Sequence, residues 1–170
     1  MTGFSKALDH TDDAINEREG KYLTFTLCNE EYGICILKIK EIIGMMPITT
    51  VPQTPDYIKG VINLRGKVIP VVGLRRRFGM EAIDYTERTC IIVVETEGQD
   101  RVLPIGIIVD SVSEVINIKG EDIEETPTFG ANLKTEYILG MAKMEGGVKI
   151  LLDIDKVLNT TEIEIIEKIA

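Results

Sequence analysis

The chain has 170 residues, 44% hydrophobic and only 5% aromatic, enough to bury one ordinary core or two small ones. A formal net charge of −9 argues against binding to nucleic-acid backbones, which relies on clustered lysine and arginine. No apolar run approaches the roughly 20 residues of a membrane span and the N-terminus lacks an apolar signal stretch, so a cytoplasmic protein without membrane insertion is expected. Its three cysteines then read as free thiols.

Residues 1–20, with Asp9, Asp12, Asp13, Glu17 and Glu19, read as a flexible acidic tail. From Lys21 to Leu27, Tyr22, Thr24 and Thr26 alternate with Leu23, Phe25 and Leu27, a strand that Asn29-Glu30-Glu31 would turn into a segment opening at Tyr32-Gly33. Ile34 to Ile43 reads as two strand pieces around a turn at Leu37 and Lys38, because β-branched residues dominate. Pro47, Pro52 and Pro55 make Met45–Pro55 a loop.

Tyr57 to Val72 predicts a β-hairpin. Ile58, Gly60, Ile62 and Leu64 alternate with Lys59, Val61, Asn63 and Arg65, and Arg65-Gly66 forms the turn. Pro70 in its second arm suggests a sheet edge or a bulge. Leu74 to Phe78, closed by Gly79, predicts a short helix, with Arg75-Arg76-Arg77 read as a solvated face. Met80 to Arg88 would link two lobes.

Thr89 to Val94 predicts a strand, Glu97-Gly98-Gln99-Asp100 a turn, and Arg101 to Val109 a returning strand interrupted at Pro104 and Gly106. Glu121 to Glu136 reads as a long surface loop. The hairpin then recurs as Tyr137 to Leu152, with Tyr-Ile-x-Gly and the turn glycine kept at a constant offset. Residues 159–170, opening on a Thr161 to Glu164 capping box, predict a C-terminal amphipathic helix packed on a lobe.

The fixed offset suggests duplication. A weaker repeat supports it: Gly33-Ile34-Cys35-Ile36 running to Glu41-Ile42-Ile43 resembles Gly106-Ile107-Ile108-Val109 running to Glu114-Val115-Ile116. Two lobes of this size would be marginal alone and are expected to pack together. Gly60/Gly140 and Gly66/Gly146 are kept in both copies, as tight backbone positions require, and Glu41/Glu114 is also kept, which weakens a purely functional reading of Glu41. Arg65 faces Glu145 across the repeat, so the turn does not demand a cation. A solvated turn arginine and a contact arginine both remain open.

Catalytic signals are weak. The one histidine, His10, lies in the tail, which removes histidine-based triads and general bases from the lobes. Cys28, Cys35 and Cys90 have neither C-x-x-C spacing nor histidine partners, and read as packing residues rather than zinc ligands. No glycine-rich phosphate loop is present. Carboxylate pairs remain possible on abundance alone, so a binding module explains the sequence better than a catalyst.

At Tyr32-Gly33-Ile34, Ile58-Lys59-Gly60-Val61-Ile62-Asn63-Leu64-Arg65-Gly66 with Ile69-Pro70-Val71, Gly106-Ile107-Ile108-Val109-Asp110 and Ile150-Leu151-Leu152-Asp153-Ile154, the chain resembles the CheW family of chemotaxis coupling proteins. The likeness covers about 21–158. It implies a mostly β fold of two SH3-like five-stranded β-barrel subdomains packed together (about 21–88 and 89–158), with short helices. It further implies no catalysis, no cofactor and no metal. The implied role is an adaptor bridging the cytoplasmic tip of methyl-accepting chemoreceptors to the regulatory domain of the histidine kinase CheA, recruited to receptor arrays at the inner face of the membrane.

Carried over position by position, the resemblance implies a receptor surface of Ile36, Ile39, Glu41, Arg65 and Gly66 with Thr89, Cys90, Gly106, Val112 and Val115. It implies kinase contacts at Lys59 and Gly60, with Met45, Met46 and Val51 from the proline-rich loop. Gly73 stands where the family commonly has Asp before Leu-Arg, so the resemblance does not carry a local cap or salt link over to this position. Two alternatives are a CheW-like regulatory module of another two-component assembly, which a complete 170-residue chain without kinase or receiver segments argues against, and a carboxylate-dependent enzyme.

Overall fold

The computed structural model describes residues 18–97, 102–125 and 135–158. The expected tail and C-terminal helix lie outside these residues, save Arg18 to Gly20 at the start, as does most of the expected 97–100 turn. In chain order the strands are β1 (Gly20–Leu27), β2 (Glu30–Cys35), β3 (Ile39–Gly44), β4 (Ile58–Leu64), β5 (Lys67–Gly73), β6 (Cys90–Glu97), β7 (Val102–Val109), β8 (Ser111–Ile118), β9 (Ile123–Glu124), β10 (Ile138–Met144) and β11 (Gly147–Leu152). Helix α1 is Leu74–Arg77 and α2 is Ile154–Val157, and 3-10 turns cover Ile36–Lys38, Gly120–Asp122 and Thr135–Tyr137.

The strands form two sheets, ordered β8-β1-β2-β11-β10-β9 and β3-β6-β7-β5-β4. The fold is mostly β, with two packed β subdomains and short helices, as expected. The sheets, however, cross the expected 88/89 division: β1 and β2 pair with β8 and β11, whereas β6 and β7 pair with β3 and β5. Each repeat thus places its leading hairpin in the sheet of the other. Chain length dictates this, because Asp110 alone separates β7 from β8 and one residue cannot reverse a strand, so the chain runs on into the second sheet. Ile36–Lys38 makes the matching crossing from β2 to β3.

Three apolar clusters follow. Ile62, Ile69, Val71, Ile91, Val93 and Ile108 fill the five-stranded sheet, and Tyr22, Ile118, Ile123, Ala142 and Leu151 the six-stranded one. The largest cluster draws on both sheets, including Phe25, Leu27, Tyr32 and Ile34 from one and Ile58, Val72, Ile92 and Val94 from the other. At about 1.5–3 kcal/mol for each large aliphatic side chain buried, this shared layer is what holds the lobes together. A row of rings crosses it, Phe25 to Tyr32 to Phe78 to Tyr137, with centroids 5.8, 6.2 and 6.0 Å apart.

Polar staples lock both crossings. Arg75 donates to both Asp110 oxygens at 2.7 and 2.6 Å, and the same carboxylate accepts from the Cys28 amide in the β1–β2 turn. At the other crossing Lys38 donates to Asp155 at 2.6 Å, and Asp155 accepts from the Glu97 amide. The cation sits on the helix in one copy and on the crossing in the other. Burial alone would raise the Asp110 carboxyl, but the bonds from Arg75 and Cys28 outweigh it and hold it below the ordinary aspartate value.

Several local expectations need correction. The arginine run is engaged rather than solvated. Arg76 donates to Asp56 at 2.5 Å, and Arg77 donates to the Val157 carbonyl and the Tyr137 hydroxyl while lying 5.0 Å and 5.1 Å from the Tyr57 and Tyr137 ring centroids. Cys28 is exposed, because with Asn29 it forms the positive-φ hairpin turn, at φ 54° and 65°, ahead of the expected Asn29-Glu30-Glu31.

Pro70 is buried in β5, an inner strand. It pairs with Val61, and the second neighbour, β7, joins only from Val71 onward, so the missing amide costs no ladder bond on that side. Pro104 likewise precedes the first β5 partner on β7, Gly106, and β7 runs without interruption. The expected loop after Glu121 contains β9, whose Ile123 is buried.

Candidate binding surfaces

The residues expected on the receptor side fall into three environments. Ile36, Ile39, Cys90 and Val112 are half-buried and pack on the margin of the shared core, where the two sheets meet. Cys90 and Val112 line one cavity of about 460 Å³ with Thr26 and Arg88. Burial pushes the Cys90 thiol up, and a bond with the Val112 backbone offsets part of this.

Glu41 and Arg65 form the second group. Arg65 Nη1 donates to Glu41 Oε2 at 2.7 Å, with side chains 71% and 23% exposed respectively. That hydrogen bond holds the Glu41 carboxyl below its ordinary value and the guanidinium above its own. Exposed pairs of this kind contribute little to stability, because water screens them and two long side chains must be ordered. Arg65 also has left-handed backbone, φ 54°, beside Gly66 at 83°, and the Gly66 amide donates to Asn63 Oδ1 at 2.9 Å. At the repeat's second turn only Gly146 has positive φ, so Glu145 does not share the Arg65 conformation. Gly66 is exposed with open space at its Cα, and Val115 is exposed on β8, an outer strand.

Thr89 and Gly106 are apart from these groups. Thr89 is buried, its hydroxyl accepting from the Thr86 amide at 2.9 Å. Gly106 is buried too, and a Cβ there would lie 2.8 Å from Ile91 Cγ2. Sequence reasoning missed Ile42, 44% exposed on β3, the counterpart of Val115 in the weaker repeat, which was the signal that could have found it. It also missed Leu37, 89% exposed at the first crossing.

The residues expected on the kinase side gather at one end of the five-stranded sheet. Met45 and Met46 are half-buried against its core beside Ile48, and the Val51 carbonyl accepts from the Thr54 hydroxyl. Thr49 bridges to Val61 across the sheet edge. Gly60 is buried at φ 140°, where a Cβ would meet the Thr49 carbonyl oxygen at 2.1 Å, so only glycine lets the loop close on β4. The Lys59 stem lies across Gly73, 2.6 Å from where a Cβ would be. Gly73 offers no side-chain cap to α1, whereas Asp153 in the second repeat accepts from the Lys156 amide.

Among the described residues no group of three or more histidine, cysteine, aspartate or glutamate side chains is placed to hold a metal ion, and no helix is long and apolar enough to cross a membrane. The geometry thus presents an exposed ion pair, an apolar margin where the sheets meet, and two half-buried methionines at one end of the five-stranded sheet.

Known proteins resemble this chain over most of its length. The CheW-like domain family matches residues 21–162. A chemotaxis protein CheW from Klebsiella aerogenes is 43% identical over 150 residues, covering 88% of this chain and 88% of its own, and one from Thermotoga maritima is 33% identical over 149 residues, covering 86% and 91%. The crystal structure of the scaffolding protein TtCheW from Thermoanaerobacter tengcongensis superposes with a TM-score of 0.75 at 35% identity, covering 85% of this chain and 95% of that one.

Proposed function

This chain belongs to the CheW family of non-catalytic chemotaxis scaffolds, and we propose that it couples the cytoplasmic tips of methyl-accepting chemoreceptors to the regulatory domain of the histidine kinase CheA. The receptor side is the Glu41–Arg65 pair with the apolar margin of Ile36, Ile39, Cys90 and Val112, extended by Gly66 and Val115. The kinase side is the end of the five-stranded sheet built by Met45, Met46, Val51 and Lys59. Receptor binding recruits the adaptor to arrays at the inner face of the membrane.

The observation that carries the receptor side is the exposed Glu41–Arg65 pair, an ordered charge pair with little work to do in the fold. Beside it, half-buried aliphatic side chains supply the area that binding needs, while the charges set register and exclude wrong partners. Buried Thr89 and Gly106 act here through the backbone they shape. Gly60 likewise supports the kinase side by seating the Thr49 loop.

Mixing the chain, CheA and a receptor signalling-domain fragment tests the proposal. Kinase autophosphorylation rises above the kinase-only rate when all three are present, and not when the receptor fragment is left out. A mixture that forms no ternary complex and leaves the kinase rate unchanged would falsify the coupling role.

A further inference from the structure

A cavity of about 270 Å³ opens beside β4 and α1, with an apolar wall of Leu74, Ile83, Tyr85 and Ile108. Lys59, Arg75 and Arg76 line it with the carboxylates of Asp110 and Asp84, the latter exposed to water. Arg75 is committed to Asp110 and Arg76 to Asp56. Lys59 alone of the three has no hydrogen-bond or ion-pair partner among the described residues, although its stem is pinned over Gly73. Ile83 and Tyr85, 45% and 52% exposed, leave apolar surface uncovered at the rim. The second repeat places Asp153 where Gly73 stands, so this copy lacks the carboxylate its counterpart carries.

We propose that this cavity binds a small amphiphilic carboxylate, its charge on the Lys59 ammonium and its apolar body against Leu74, Ile83, Tyr85 and Ile108. A neutral ligand would leave the half-buried ammonium without a counter-charge, and a cationic one seated on the same wall would face that ammonium, with only the water-exposed Asp84 to offset it. Contact with both the apolar wall and Lys59 requires the two properties in one molecule. The site shares Lys59 with the proposed kinase side, but its first readout is binding to the chain alone, so its failure and the failure of the coupling role are distinguishable.

Benzoate is the probe, titrated into the isotopically labelled full chain with amide NMR detection, beside benzyl alcohol and benzylammonium at the same concentrations. Benzoate produces saturable shifts at Gly73, Leu74 and Ile83, and the two analogues do not. Lys59→Gln weakens benzoate binding at least tenfold while Lys59→Arg retains it. Gly73→Asp weakens it similarly: the backbone at φ −82° suits an L-residue, the new Cβ displaces the Lys59 stem that lies 2.6 Å away, and the added carboxylate takes the ammonium. Equal binding of benzyl alcohol, or unchanged binding in Lys59→Gln and Gly73→Asp with the rest of the spectrum intact, overturns the site.

The same chemistry is carried by a free acid and by an acidic side chain of a bound partner. Competition between benzoate and the kinase regulatory domain separates the sources: displacement assigns the site to a partner's carboxylate, and simultaneous binding to a free acid.

Discussion

Arg65 combines left-handed backbone with a mostly exposed side chain, a conformation that costs an L-residue on the order of 1 kcal/mol and that burial does not offset. Stability and recognition can therefore be separated at this one position. Arg65→Gly is expected to be more stable than Arg65→Ala by about 1 kcal/mol in denaturant titration, since only glycine relieves the strain. Both variants should lose affinity for a receptor signalling-domain fragment to the same extent; affinity unchanged in both would return Arg65 to a solvated turn. The glycine beside it was legible in the sequence as a turn requirement. The Arg65 to Glu41 bond was not, because 24 positions separate the partners and no periodicity links them.

Asp110 shows the opposite balance, its side chain 20% exposed and bonded to Arg75, itself 17% exposed. Asp110→Asn should cost about 2 kcal/mol at neutral pH, since it leaves a half-buried guanidinium without its charge partner. The Asp110 pKa is depressed in the folded chain, so its stabilisation is complete above the ordinary aspartate value of about 4 and is lost as pH falls through the depressed folded value. The stability difference between wild type and Asp110→Asn should therefore close below about pH 4. A gap that stays constant down to pH 2 would show that the charge pair is not its source.

Among the elements, the two repeated hairpins were legible almost to the residue, because alternation, paired glycines and a fixed offset all agree on them. Each carries one feature that pattern alone could not show. The register shifts between Ile58 and Gly60 and again between Ile138 and Gly140, so a bulge at Lys59 and Leu139 turns the strand toward the segment that closes over it. Gly60 is where that segment touches. Gly60→Ala should destabilise the fold by about 3 kcal/mol, from a strained positive φ together with overlap on the Thr49 carbonyl, whereas Gly66→Ala at an open turn should cost about 1 kcal/mol. Thermal unfolding of the two variants checks the ranking, and equal losses would mean that the Thr49 loop yields freely. If Gly60→Ala also weakens kinase binding, displacement of Met45 and Met46 with that loop is the physical route, since Gly60 itself is buried.

At the scale of the whole molecule, the duplication was legible but the partition of its strands was not. Periodicity reports which residues face a core and is silent on whose core it is. The deciding features are the connections: one residue between β7 and β8, too short to reverse the chain, and a 3-10 turn, Ile36–Lys38, that carries β2 on into β3 instead of closing a hairpin. Each sheet is therefore completed only by strands from the other repeat. Thr24 marks the specificity of that exchange. It is wholly buried where the β1–β8 register shifts, and its hydroxyl donates to the Glu114 carbonyl at 3.0 Å and accepts from the Glu114 amide at 3.2 Å. Neither repeat should then fold by itself. Fragments 1–88 and 89–170 are expected to be largely unstructured apart, by circular dichroism and amide NMR, and to regain the native spectrum as an equimolar complex when mixed. Adding Thr24→Val to the first fragment should weaken that complex about tenfold, because the Glu114 amide and carbonyl lose the Thr24 hydroxyl and a methyl takes its place in a wholly buried position. Two fragments that each give a dispersed native-like spectrum alone would show that a leading hairpin can close on its own repeat, and that the exchange is a consequence of the short crossings rather than a requirement of the cores.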